Sequence, residues 1–198
     1  MRHTLVAIGA ACIFVCAAYG QEKTEPRARV DVGGGVVFIQ GDSGGGTPFN
    51  MGAGVTLGVL FKNGVLLRFN LGQIKTKNTT VGDFGIGLDT IQSRETLTEL
   101  DATAGYLWNR AGMVRPYLRG GVSWNFLDEQ VDSALVGDVI SGSDYDQVFT
   151  YGGGVEIGEK AHILSFDFQK TTNVNMEIGV LAPDFNSTVL RIDYRYRF

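Results

Sequence analysis

From Leu190 to the last residue the chain alternates without a break. Leu190, Ile192, Tyr194, Tyr196 and Phe198 fall on one parity, and Arg191, Asp193, Arg195 and Arg197 on the other. Successive side chains of a β-strand point to opposite faces, so as a strand this segment has one fully apolar face and one strongly charged face. A helix would scatter both sets around its circumference. Only a sheet that separates an apolar phase from a polar one satisfies such a segment.

Seven earlier segments repeat the theme, which predicts eight strands. They fall at about 29–39, 50–62, 64–74, 94–108, 116–127, 147–157 and 162–170, ahead of the last at 188–198. The segment at 64–74 sets Val65, Leu67, Phe69 and Leu71 against Arg68, Asn70 and Gly72. The one at 116–127 sets Leu118, Val122, Trp124 and Phe126 against Arg119, Gly121, Ser123 and Asn125. Glycine runs recur, as in Gly33-Gly34-Gly35 and Gly152-Gly153-Gly154. They read as relief from crowding where strands curl tightly, not as a phosphate loop.

The connections alternate in length. Short ones are expected at Lys62-Asn63-Gly64, from Asn109 to Arg115, and from Gly158 to Ala161; long ones at 40–49, 75–93, 128–146 and 171–187. Short turns on one rim and long loops on the other describe a barrel in an outer membrane. Both chain ends then fall on the short-turn, periplasmic side.

The chain opens with Met1-Arg2-His3, an apolar stretch from Leu5 to Ala18, and a small-residue exit at Ala18-Tyr19-Gly20. This is the pattern of a secretory signal peptide. Residues 1–20 are therefore expected to be cleaved, 21–28 to form a short periplasmic segment, and 29–198 to form the barrel. Neither Cys12 nor Cys16 has Leu three places ahead of it, so lipidation is not expected, and the mature chain carries no cysteine for disulfides or thiolate metal sites. Removing Arg2 leaves 16 basic residues against 21 acidic ones, without a basic stripe, which excludes a nucleic-acid partner. After the signal no apolar run nears the ~20 residues of a spanning helix, so a membrane protein here must cross with strands.

Bulk and charge decide which face meets lipid. Eight strands enclose room for side chains and little else, too little for all the large aromatics. The polar faces are rich in Gly, Ser and Thr, and they carry Asp31, Arg68, Glu99, Asp101, Arg119, Glu156, Asp167, Arg191, Asp193, Arg195 and Arg197. These near-balanced charges are expected to fill the lumen as an ion-pair network, since buried charges must be paired. On the lipid face, one Arg would cost about 2–4 kcal/mol at the midplane. The aromatics gather at strand ends: Phe61, Trp108, Tyr194 and Phe198 toward the periplasmic rim, and Phe38, Trp124, Phe126, Phe149 and Phe168 toward the outer rim. Two such belts mark the two membrane interfaces.

The ending Tyr194-Arg195-Tyr196-Arg197-Phe198 resembles the terminal signal of outer-membrane barrels. With the preceding strands, the chain from about 29 to 198 is similar to the small eight-stranded barrel family that includes the OmpA transmembrane domain and OmpX. The resemblance implies an all-β, antiparallel, up-and-down barrel in the bacterial outer membrane, surrounded by outer-membrane lipid. It also implies insertion by the barrel-assembly machinery, which would read Tyr194, Tyr196 and Phe198. The chain ends at the barrel, so a wall-tethering domain of the full-length OmpA kind is not expected.

Candidate chemistry is sparse. His162 is the one histidine after the signal, and Ser165 and Asp167 stand close by in sequence. Strand parity puts Ser165 and Asp167 on the lumen face and His162 on the other, so nucleophile and base do not meet. Gly82-Asp83-Phe84-Gly85-Ile86-Gly87 lacks the strand-to-helix setting of a nucleotide loop. Asn78-Thr79-Thr80 is a glycosylation acceptor pattern without consequence in a bacterial barrel. The loop at 128–146 holds Asp128, Glu129, Asp132, Asp138, Asp144 and Asp146, and its spacing matches no calcium motif, so it reads as a solvated acidic loop. No catalytic residue, metal or cofactor is expected. The leading reading is a non-enzymatic barrel with an envelope role or with surface contacts through its loops, an extracellular ligand meeting those at 75–93 and 128–146. A narrow solute pore, a lipid-modifying enzyme and a secreted lipocalin-like carrier remain as alternatives.

Overall fold

The structure, a computed structural model, describes residues 28–41, 50–83, 88–134, 137–159, 161–174 and 185–198. The expected signal peptide, most of the segment 21–28, the 42–49 connection and residues 175–184 lie outside these. The described residues form eight strands: β1 (Ala28–Gly41), β2 (Asn50–Phe61), β3 (Val65–Asp83), β4 (Leu88–Leu107), β5 (Val114–Ser133), β6 (Gly137–Ile157), β7 (His162–Val174) and β8 (Phe185–Arg197). Each pairs antiparallel with its sequence neighbours, and β1 pairs with β8, closing the barrel. Within the span closure leaves no open edge, as a sheet in lipid requires.

The periplasmic turns are tight because their residues suit them. At Lys62-Asn63-Gly64, Gly64 takes a left-handed φ of 96° and its N–H donates to the Phe61 carbonyl at 3.0 Å. This is the three-residue hairpin, which calls for Gly where φ turns positive. Asn109 takes φ 51° and its side chain donates to the Val114 carbonyl at 2.9 Å, holding the β4–β5 turn.

The alternating faces are oriented as the charge argument requires. The outward parity leaves Met51, Val55, Phe69, Leu118, Phe149 and Phe168 exposed, while Arg68, Glu99, Asp101, Arg119, Glu156 and Arg195 are buried inside. A soluble carrier would show the reverse polarity. The lumen-facing glycines keep the curled strands close. A Cβ at Gly33 would overlap the Tyr194 carbonyl oxygen, one at Gly121 that of Ala102, and one at Gly152 that of Phe168.

Two expectations do not hold. The stretches 75–93 and 128–146 are not loops. β3 and β4 remain paired from Val65↔Tyr106 to Asp83↔Leu88, and β5 and β6 from Val114↔Ile157 to Ser133↔Gly137, with one irregularity at Val131/Asp132. The acidic stretch 128–146 is therefore ladder over most of its length, not a solvated loop. Above the lipid neither face needs to be apolar, so hydrophobic alternation fades while the hydrogen-bonded ladder continues. The four strands β3–β6 run 19 to 21 residues, about twice the ~9–11 that cross the hydrocarbon. β1, β2, β7 and β8 stop at 12 to 14. The barrel thus has a tall wall and a short wall.

Candidate functional site

The lumen holds a dense ion-pair network in which β8 supplies the central donors. Arg191 reaches Glu99 at 2.5 Å and Asp101 at 2.7 Å. Arg195 reaches Asp31 at 2.7 Å and Glu156 at 2.8 Å, and Arg197 reaches the same two carboxylates at 2.8 and 3.0 Å. Three side chains of one parity on one strand thereby engage carboxylates from β1, β4 and β6. Arg68 of β3 pairs with Glu156 at 2.9 Å and lies over the Tyr117 ring, its guanidinium carbon 4.3 Å from the centroid. Arg119 of β5 pairs with Asp167 of β7 and reaches Gln169 at 2.5 Å. Asp193 accepts from Thr56 at 3.1 Å, and Thr56 leads on through Asn70 to Asp101.

All eleven residues singled out as lumen charges face the interior. The sequence reading missed Arg115, which it left in the β4–β5 connection. β5 begins at Val114, and Arg115 sits on the parity of Arg119 with its Nε 3.4 Å from Glu156. Among the described residues the buried charges are then six guanidiniums and six carboxylates. Tyr117 and Gln169 were missed as partners as well. Tyr117 counts as apolar in an alternation, yet it is an inward residue on a charged face. The parity of Arg115, Tyr117 and Arg119 was the signal that could have found it.

Apolar layers bound the network. Toward the outside, Val37, Ile39, Ile74 and Val189 cluster with Leu97, and Val148 packs against Leu97 and Leu127. These seven come from β1, β3, β4, β5, β6 and β8, so they form a partial ring in the lumen to which β2 and β7 do not contribute. At the periplasmic end Leu60, Leu66, Leu107 and Tyr117 form a second cluster on the β2–β5 side. Arg68, Arg191, Arg195, Glu99 and Glu156 are 2% exposed or less. A water-filled channel of this width would leave them wet.

Outside, exposed rings make two bands. Tyr106 and Trp108 meet edge to face at 5.4 Å near the periplasmic turns, and Tyr196 and Phe198 at 4.9 Å. Phe126 and Tyr145 stack at 6.1 Å toward the outer end. Tyr194 and Tyr196 of β8 point outward, and Phe198, just past its end, is exposed beside them. His162 also points outward, with Nδ1 2.5 Å from the Tyr194 hydroxyl. Ser165 and Asp167 are buried in the lumen, so the three do not assemble into a hydrolytic site.

Above the outer band the tall wall is polar. Lys75, Lys77 and Arg94 share its outward face, Lys77 directly opposite Arg94 across the β3–β4 ladder. Arg94 stands 3.8 Å from Asp132. On the inward face Glu95 and Glu129 are direct cross-strand partners. Burial, and next the charge of Glu95, push the Glu129 carboxyl above its ordinary range. A groove of about 740 Å³ crosses these four strands, lined by residues including Lys75, Arg94, Asp128 and Ser143.

A closed antiparallel barrel with lipid-facing aromatics, a charged core and interface belts defines an integral protein of the bacterial outer membrane. The chain belongs to the family described as the outer membrane protein beta-barrel domain, which matches residues 8–198. No curated protein sequence matches it. Among solved structures it is similar to Ail, the attachment invasion locus protein of Yersinia pestis, in complex with the heparin analogue sucrose octasulfate. That likeness has a TM-score of 0.55 at 13% identity, covering 86% of this chain and 97% of Ail. Neisserial surface protein A gives 0.55 at 16%, covering 86% and 97%. OprG from Pseudomonas aeruginosa gives 0.55 at 12%, covering 86% and 96%. At these identities the likeness is one of fold.

Proposed function

We propose that this protein is a sealed, non-enzymatic barrel that displays its tall wall at the cell surface for contact with an extracellular ligand. The observation that supports this is the overshoot of β3–β6 beyond the strand length that lipid requires. A rigid ladder presents side chains with less ordering cost than a free loop. On its β3–β4 half, Lys75, Lys77 and Arg94 form a cationic patch, bordered by Asp128 and Asp132 of β5, that suits a sulfated ligand, the chemistry of the heparin analogue seen with Ail. Residues 1–20 act as the export signal, and Tyr194, Tyr196 and Phe198 form the face offered to the barrel-assembly machinery.

The test replaces the tops of both tall hairpins, 75–96 and 128–143, with short turns. The shortened barrel keeps its heat-modifiable gel migration and loses the retention on immobilised heparin shown by the intact protein at low salt. A variant that fails to fold, or that is retained equally, overturns the reading. The apolar ring and ion-pair core argue against a pore, so planar-bilayer conductance stays at background; well-resolved ion currents through the intact barrel would favour the pore.

A further inference from the structure

The lumen charges balance in number but not in place. Toward the periplasm, Arg68, Arg115, Arg195 and Arg197 meet Asp31 and Glu156, and beyond these two only Arg68 has a further ion pair, Asp167 at 3.8 Å. Glu156 alone stands within ion-pair range of all four guanidiniums. Toward the outside the ratio reverses, with Arg119 and Arg191 among Glu99, Asp101, Asp193 and Asp167, the last shared with Arg68. The periplasmic half therefore holds a buried excess of positive charge. An excess of that kind calls for a counter-anion, because a buried charge without one is costly.

The same end has the space and the donor for one. A cavity of about 950 Å³ opens there, with Arg29, Lys62, Arg110, Arg115 and Arg197 in its lining against one carboxylate, Glu159. Arg115 is 5% exposed, and its Nη2 meets no acceptor among the described residues. An unpaired buried guanidinium donor on a residue that lines a basic cavity is an arrangement that suits a tetrahedral oxyanion, since the planar fork matches two of its oxygens.

We propose that the periplasmic mouth of the barrel binds a phosphate group, held by Arg115 with Arg197 and Arg29 beside it. Inorganic phosphate and the headgroup of an inner-leaflet phospholipid share this chemistry. Tyr106 and Trp108 of the periplasmic aromatic band also line the cavity, which sets it at headgroup height.

The test uses the refolded full chain, labelled with 15N-arginine, in octyl glucoside micelles, which contain no phosphate. Inorganic phosphate should move the Arg115 side-chain resonances saturably, and chloride at matched ionic strength should not. Arg115→Gln should weaken the apparent affinity about tenfold, as loss of one charge-assisted contact would. Arg110→Gln, at the exposed mouth, should weaken it about two- to threefold through screened charge alone. Lys170→Gln, near the outer end of β7, should leave it unchanged. In phosphatidylglycerol nanodiscs a headgroup ligand would shift Arg115 before any phosphate is added and block further titration; a free-phosphate site would titrate as in micelles. If Arg115→Gln does not fold, the wild-type and Arg110→Gln titrations carry the test. No saturable shift of Arg115 in either setting overturns the proposal.

Discussion

Below the outer aromatic band the tall wall and the short wall follow one rule. Strands there send apolar side chains to lipid and keep their charged ones inward, with apolar layers such as Leu60, Leu66 and Leu107 closing off the charged core, because hydrocarbon tolerates no unpaired charge. Above that band β1, β2, β7 and β8 end, while β3–β6 continue with polar residues on both faces. Lys75, Lys77, Arg94, Asp128 and Gln130 would be excluded from the span, yet they sit in regular ladders above it. The comparison separates two sources of sheet stability. In the span, backbone pairing and side-chain partition act together. In the tall wall, pairing and cross-strand contacts, each worth about 0.2–1 kcal/mol, act alone.

Perturbing the span should therefore cost far more than perturbing the wall. The largest effect is expected for Glu156→Ala, which takes one shared carboxylate from four guanidiniums and leaves Arg115 without an ion pair; removing one partner of a buried pair costs about 3–5 kcal/mol. Urea unfolding in micelles would measure it, and a loss below about 1 kcal/mol would mean that the pairs add little there. Next comes Leu118→Arg on the lipid face, expected to cost about 2–4 kcal/mol in the same assay if it lies near the midplane. A neutral outcome would show that Leu118 reaches an interface.

In the wall the expected effects are small. Lys77→Thr removes a like-charge pairing with Arg94 and adds a β-branched residue, so a stabilisation of about 0.2–1 kcal/mol is expected, read by hydrogen exchange of the β3–β4 amides. A loss of protection would mean that Lys77 has a favourable role. The smallest effect concerns pH. The Glu129 carboxyl is raised by burial and by Glu95, so the folded wall binds its proton more tightly than the unfolded chain does. Its contribution is fully present below the ordinary Glu range and is lost as pH rises through the raised value. Amide protection around Glu129 should accordingly fall slightly from acid to neutral pH, and Glu129→Gln should flatten that slope. An unchanged slope would assign the effect to another group.

The same division explains what could be read from the sequence. The span was legible, since each face meets a different solvent and Leu190 to Phe198 records that residue by residue. The tall wall was not, because stretches such as Lys75-Thr76-Lys77 carry no apolar alternation when both faces meet water. Lumen parity was legible at Arg191 and Arg195, where charge marks the inward side. It was not at Tyr117, an aromatic that turns inward to cover Arg68, nor at Arg115, one residue beyond the expected start of its strand. The polarisation of the network along the barrel axis was also hidden, as it depends on which strands meet across the lumen.

β8 supplies Arg191, Arg195 and Arg197, and it is also the strand whose pairing with β1 completes the ring. A seven-stranded sheet still waiting for it would hold three lumen guanidiniums against five carboxylates. Topological completion and charge neutrality thus arrive in a single event. A ring lacking this seam would carry a charge imbalance that the last strand alone removes.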